Sequence, residues 1–252
     1  SSDLLCKDLG FLPLGLELVA RYLERKPSLS LVKVRKTLRL EDESLERFSK
    51  DMTAQRGVVA AFELSWNELD EDSKALGCLL SLFASAPIPW NLVEKCLLKN
   101  ESQEKGIIQQ WFPTFLRLWL FCMPRKAANV LDLNTWKHKR DDKLINFSLL
   151  QYLGGSNYGL HPLIRQYFRN KFAGFCSSVE EMKYSICKVI AESAIEIPYT
   201  ITVQQVSEVE VYIPHIVEVA ENLHEFLSDR SEEHTSELQS HSDLVCRLLL
   251  EK

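Results

Sequence analysis

The stretch LDEDSKALGCLLSLF, residues 69–83, fits only one kind of regular structure. Ala75, Leu76, Leu79, Leu80 and Phe83 recur at three- and four-residue intervals, a spacing that lines one face of a helix and that the two-residue period of a strand would scatter over both faces. Asp70 stands where a carboxylate accepts from the unsatisfied N–H groups of a first turn, so it predicts the N-cap. Just upstream, RGVVAAFELSWNEL sets Val58, Phe62 and Trp66 four residues apart, which makes a second helix that meets the first at Asp70. A third, PLGLELVARYLERK, starts at Pro13 and places Leu14, Leu18 and Tyr22 on one face. Proline belongs in a first turn, where its missing N–H costs nothing, and Lys26-Pro27 ends the element. Stripes of this kind must be buried against one another, so the fold class is mainly α.

The remaining segments add one small β element. Leu29 to Leu40 reads as another helix, and the charged EDESLERFSKD after it reads as a connector and first boundary. APIPW interrupts the chain, after which Pro89 opens a short helix carrying Trp90, Val93 and Leu97. Residues 100–142 show no clear period. INFSLLQYLGGSNYGLH holds two short apolar runs around Gly154-Gly155-Ser156-Asn157 and reads as a β-hairpin, followed at once by the helical HPLIRQYFRNKF. EEMKYSICKVIAESAIEI and VSEVEVYIPHIVEVAENLHEFL are two further helical segments, with Pro214 a boundary inside the second. Helices, a two-stranded wing and more helices describe a winged-helix domain flanked by helical ones.

Composition narrows the function classes. At 252 residues and 46% hydrophobic content the chain can bury one large core or two small ones. A net charge of −5 supplies no general basic field for a phosphate backbone, so nucleic acid is not the expected partner. The seven cysteines form no CxxC pair and suit a reducing compartment, which makes the cytoplasm the expected location. WFPTFLRLWLFCMP is broken by Pro113 and Arg117 and is too short to span a bilayer, so no membrane partner is expected. The opening SSDLLCKDLGFLP has neither an initiator methionine nor a leader, as expected of an internal piece of a longer protein.

Two short stretches carry the chemistry. In YGLHPLIRQYFR, Pro162 takes the first helical position and His161 the N-cap, beside free N–H groups and the positive end of the helix dipole. That is an anion site, to which an imidazole N–H would add selectivity for phosphate. Arg165, Arg169 and Lys171 read as the solvated face of the same helix. In GFLPLGLELVARYL, Gly10 and Gly15 have the separation of a phosphate loop, but Leu16 and Glu17 stand where that loop needs Lys and Ser or Thr. GxxxxGK[ST] occurs nowhere else in the sequence, so the chain does not hold a nucleoside triphosphate and its magnesium by the usual means.

These stretches resemble, in order, parts of the NB-ARC branch of the STAND signalling ATPases. Leu12-Pro13-Leu14-Gly15-Leu16 resembles the family's GLPLA motif, in which the proline packs against the adenine and sugar; Phe11 departs from the usual glycine before Leu12. GVVAAFELSWNELDEDSKALGCLLSLFASAPIPWNLVE is similar to the start of the family's winged-helix part through Phe62, Leu64, Ser65, Trp66, Leu69 and the PIPW turn. Leu160 and His161 match the first two positions of the MHD motif, whose histidine approaches the β-phosphate of ADP, while Pro162 replaces the aspartate. YIPHIVEVAENL, around Tyr212, Pro214 and His215, looks like the linker helix before tetratricopeptide repeats, with His215 a packing residue.

The resemblance covers roughly Leu9 to Phe172, and it implies a helical ARC-type subdomain over residues 1–50, truncated at its N-terminus, then a winged-helix subdomain with one β-hairpin over 51–175. Residues 176–229 would be a helical linker or the start of a helical repeat. It further implies that Pro13 and His161 are the nucleotide-binding residues present, with ADP or ATP as cofactor of the intact protein and magnesium held only by upstream residues. The chain would be the ADP-sensing lid of a nucleotide-dependent switch, non-catalytic without its phosphate loop, with protein partners engaged through repeats or oligomerisation.

Residues 230–252, RSEEHTSELQSHSDLVCRLLLEK, resemble the conceptual translation of a sequencing adapter and are expected to be non-native. Two other readings stay open. A winged-helix DNA-binding regulator could use KHKRDDKLINFSLL, with Lys137, Lys139 and Arg140, as a basic recognition element. A helical protein–protein interaction scaffold would need no ligand at all.

Overall fold

The computed structural model describes residues 2–44, 56–98, 133–175, 179–197, 206 and 209–223. Its elements are α1 (Ser2–Asp8), α2 (Pro13–Arg25), α3 (Leu31–Ser44), α4 (Arg56–Asn67), α5 (Glu71–Ser81), β1 (Ile88–Pro89) and α6 (residues 90–98). These are followed by α7 (Leu133–His138), a π-helical segment π1 (Lys139–Ile145), β2 (Gln151–Gly154), β3 (Asn157–Gly159), α8 (Pro162–Phe175), α9 (Val179–Ile195) and α10 (Ile213–Asn222). The protein is mainly helical, with one small sheet in the order β1-β3-β2.

Local chemistry accounts for the element ends. Gly10, at φ 62°, closes α1 with the Schellman arrangement: the Phe11 N–H donates to the Cys6 carbonyl at 2.8 Å and the Gly10 N–H to that of Lys7 at 3.0 Å. Pro13 opens α2, which stops one residue before Lys26. Asp70 caps α5 as its position predicts, its Oδ1 accepting the Ser73 N–H at 2.9 Å. In the hairpin, Tyr152 pairs with Tyr158 in antiparallel register, and the turn runs through Gly154, Gly155 and Ser156, all at positive φ.

The described residues fall into two compact units. One is drawn from residues 1–88 and 137–179, the other from 89–136 and 180–252. In the first unit α4 packs against α2 and α3, while α5 packs against α8 and π1. Val58, Phe62, Leu18, Val34, Leu80 and Phe168 are each shut off from solvent there. Gly57 lets α4 pass close to α1, because a Cβ at that position would lie 1.9 Å from the Asp8 carbonyl oxygen. In the second unit the core contains Trp90, Leu92, Val93, Ile186, Ile190, Ile216 and Val219. Ser185 donates to the Cys96 carbonyl at 3.2 Å, and the Asn91 amide to the Tyr212 hydroxyl at 2.6 Å. His215 is fully buried in α10, in keeping with the packing role expected of it, and Pro214 lies in the first turn of that helix.

Three expectations need correction. The charged segment after Leu40 begins as helix, since α3 continues to Ser44. Glu41-Asp42-Glu43 contains no helix breaker, and Glu and Asp cost only a few tenths of a kcal/mol relative to alanine in a helix. The apolar run before Gln151 is not strand: the N–H groups of Leu149 and Leu150 turn back to the Leu144 carbonyl at 2.9 and 3.1 Å, so their hydrogen bonds are met without a ladder. Phe147, Leu149 and Leu150 are nonetheless all buried. Pro89, expected to open a helix, instead ends the two-residue strand β1, and the helix carrying Trp90, Val93 and Leu97 begins one residue later. Much of the patternless segment, residues 100–132, and the adapter-like tail at 230–252 lie outside the described residues.

Candidate functional site

His161 stands where β3 passes into α8. Its backbone carbonyl accepts the Arg165 N–H at 2.9 Å, and its Nδ1 accepts the Leu163 N–H at 3.2 Å, so the imidazole caps its own helix. This revises the expected anion site, because one N–H that an anion would use is taken by the histidine. The same bond settles the tautomer of the neutral ring: Nδ1 is the acceptor, and Nε2 carries the proton and is the available donor.

The helix behind His161 is held by apolar and charged contacts. Ile164, Tyr167, Phe168 and Phe172 are buried. The Tyr167 ring lies 5.2 Å from that of Phe62, and the Phe168 ring 5.8 Å from that of Trp66. Phe168 also presses on α5 at Gly77, where a Cβ would come within 2.9 Å of its Cζ.

Of the basic residues of α8, Arg169 is exposed as expected, whereas Arg165 and Lys171 are partly buried and are not a solvated face. Arg165 Nε and Arg169 Nε both donate to the Ser81 carbonyl, at 3.2 and 2.8 Å, placing two cations at the negative end of the α5 dipole. Lys171 pairs with Glu63 at 2.5 Å, and their side chains are only 17% and 7% exposed. Periodicity alone assigns a charged position to the outside unless its partner on another helix is known.

At the other predicted position, Pro13 is exposed at the start of α2, after Leu12 in extended conformation. Phe11, which stands in place of a glycine in the resemblance, has φ 59°, the left-handed conformation a glycine adopts freely. Its side chain is 70% exposed. Among the described residues no hydrogen bond or ion pair joins Pro13 to His161.

The basic run near residue 139 is largely committed within the fold. Lys139 Nζ donates to Asp70 Oδ2 at 2.6 Å and lies 3.4 Å from Asp72. Burial would raise the Asp70 carboxyl, but the hydrogen bonds from Lys139 and Ser73 outweigh it and hold the group at about 2. Arg140 is 9% exposed, donates to the Asp141 carboxylate at 2.7 and 2.8 Å, and lies 4.5 Å from the Tyr158 ring centroid. Two of the three cations proposed for DNA contact therefore have structural employment.

Among the described residues no cluster of His, Cys, Asp and Glu could hold a metal ion. No helix among them is long and apolar enough to cross a membrane. Comparison with protein-family models, with curated proteins and with solved structures finds no match to this chain.

Proposed function

We propose that this chain is the ADP-sensing lid of a nucleotide-dependent signalling switch of the NB-ARC type, made of an ARC-like helical part and a winged-helix part. The observation that carries the reading is His161. It stands at the junction of hairpin and helix, with Nδ1 committed to the Leu163 N–H and Nε2 left as a donor. A donor at a helix N-terminus suits a terminal phosphate, and its contact would bias a two-state equilibrium between closed and open forms. The left-handed backbone at Phe11, where the resembling motif carries glycine, is a second support. Pro13 follows it and would pack on base and sugar.

In this reading ADP or ATP is bound mainly by upstream residues, which also hold magnesium, and the lid adds selectivity for the nucleotide state. The lid does not hydrolyse ATP by its own residues. Partners would be proteins engaged through repeats or oligomerisation of the intact switch, in the cytoplasm. Thermal unfolding in millimolar ADP tests the proposal: ADP should raise the melting temperature modestly, and His161→Ala should remove the increase. Identical melting with and without ADP would favour the ligand-free helical scaffold, and salt-dependent duplex binding lost with Lys137 would favour the DNA-binding regulator.

A further inference from the structure

His161 can cap α8 in only one of its protonation states. The Leu163 N–H donates to Nδ1 at 3.2 Å, so the ring must present a lone pair there. A protonated imidazole carries a hydrogen on both nitrogens and accepts nothing, and its Nδ1–H would then face the Leu163 N–H head on. Its charge would also stand at the positive end of the α8 dipole.

The charged groups on the elements around the ring are engaged elsewhere. Among the described residues no ion pair joins His161 to an acid. One turn along α8, Arg165 is a second cation, its guanidinium on the Ser81 carbonyl at the C-terminal end of α5. The charged residues of α5 itself, Glu71, Asp72 and Lys74, lie in its first turn, at the opposite end. From α4, Glu63 meets α8 further along, where it pairs with Lys171. The hairpin and residues 82–89 contain no charged side chain. Arg140 of π1, which lies over the Tyr158 ring of that hairpin, is paired with Asp141.

We infer that His161 is a pH-operated cap: the neutral ring closes the first turn of α8, and protonation swings the imidazole out and leaves the Leu163 N–H open. The cap is complete above the ordinary histidine range, which centres at about pH 6.5, and is lost as pH falls through it. The opening is confined to the junction of β3 and α8, because Ile164 and Phe168 are buried and Arg165 is tied to Ser81. Acid therefore loosens the hairpin's attachment to α8 and leaves the rest of the helix in place. The device needs no nucleotide, so it stands or falls separately from the lid reading.

Hydrogen exchange of the Leu163 amide, followed by NMR in the whole chain without ligand and taken relative to its intrinsic rate, tests the cap between about pH 8 and about pH 5. In wild type the protection should fall roughly fivefold in acid, the size of a lost side-chain cap. His161→Asn supplies a good N-cap that does not titrate, and should keep its protection across the range. His161→Ala should show the acid level of wild type at both ends. The other histidines are common to all three chains and cancel from the comparison. Equal protection in wild type at both pH values, or a fall of the same size in His161→Asn, overturns the inference. So does neutral wild-type protection in His161→Ala, since the ring would then close nothing.

Discussion

Lys139 holds Asp70 at 2.6 Å, so the carboxylate that caps α5 is also the anchor of the π-helical segment 69 residues later in the chain. One oxygen serves the Ser73 N–H and the other the ammonium, and α5 is thereby fixed at its N-terminus by π1 as it is at its C-terminus by Arg165 and Arg169. Each of these contacts leads to a measurable expectation.

For Asp70 the expectation concerns pH. The folded carboxyl titrates at about 2, below its ordinary 3.8, so the folded state binds fewer protons than the unfolded chain across that interval. Its contribution is complete above the unfolded value and is lost as pH falls from about 4 to about 2. Solvent screening of a side chain 38% exposed keeps it modest. Asp70→Ala should cost about 1 kcal/mol at neutral pH through loss of the cap. Asp70→Asn should keep most of the cap and flatten the acid limb, as read from urea denaturation across pH.

The Glu63–Lys171 pair should behave as a buried ion pair. Lys171→Met leaves a carboxylate only 7% exposed without this cation, and should destabilise by about 3 kcal/mol. Glu63→Gln in the same chain should recover most of that loss, giving a large coupling energy in a double-mutant cycle by chemical denaturation. Additive losses would mean that the two side chains act independently.

Two glycines should resist substitution to different degrees. A Cβ at Gly77 meets the Phe168 ring at 2.9 Å, and Gly77→Ala should cost about 2 kcal/mol after the helix-propensity gain of alanine. A Cβ at Gly57 meets backbone, the Asp8 oxygen at 1.9 Å, where no rotamer change can relieve the clash. Gly57→Ala should cost about 3 kcal/mol or more, and the order of the two midpoints in denaturant checks the argument.

Cys187 should be chemically silent in the folded protein. It is fully buried, its Sγ lies 3.4 Å from the Leu223 carbonyl, and burial pushes the thiol up to about 12. Alkylation at about pH 8 should therefore proceed only through opening of the second unit and accelerate with denaturant. Rapid labelling in native buffer, located by peptide mass mapping, would contradict the packing of α9 against the end of α10.

Much of this fold could be read from short-range pattern. Pro13, Asp70 and Pro162 act on the backbone within a turn of themselves, and the stripe Leu76, Leu79, Leu80 and Phe83 needs only the helical period to face inward. His161 at the N-cap belongs to the same class, since proline at the first helical position places the preceding residue there. The sense of its hydrogen bond was not legible, because whether an imidazole caps its own helix or leaves the N–H groups to a ligand depends on a side-chain torsion.

Packing settled what period and capping leave open. Arg165, Arg169 and Lys171 occupy positions that look outward on a single helix, yet they meet Ser81 and Glu63 on neighbouring helices more than 80 residues away in sequence. Lys139 and Arg140 sit in a run that resembles a basic surface, and only the approach of Asp70 and the stacking on Tyr158 commit them inward. Local sequence therefore determined where helices begin, which stripe is apolar and where the chain turns, because those depend on neighbours within a few residues. The charge partners were decided by distant parts of the chain coming together, since their energies depend on burial and on partners that no local window contains.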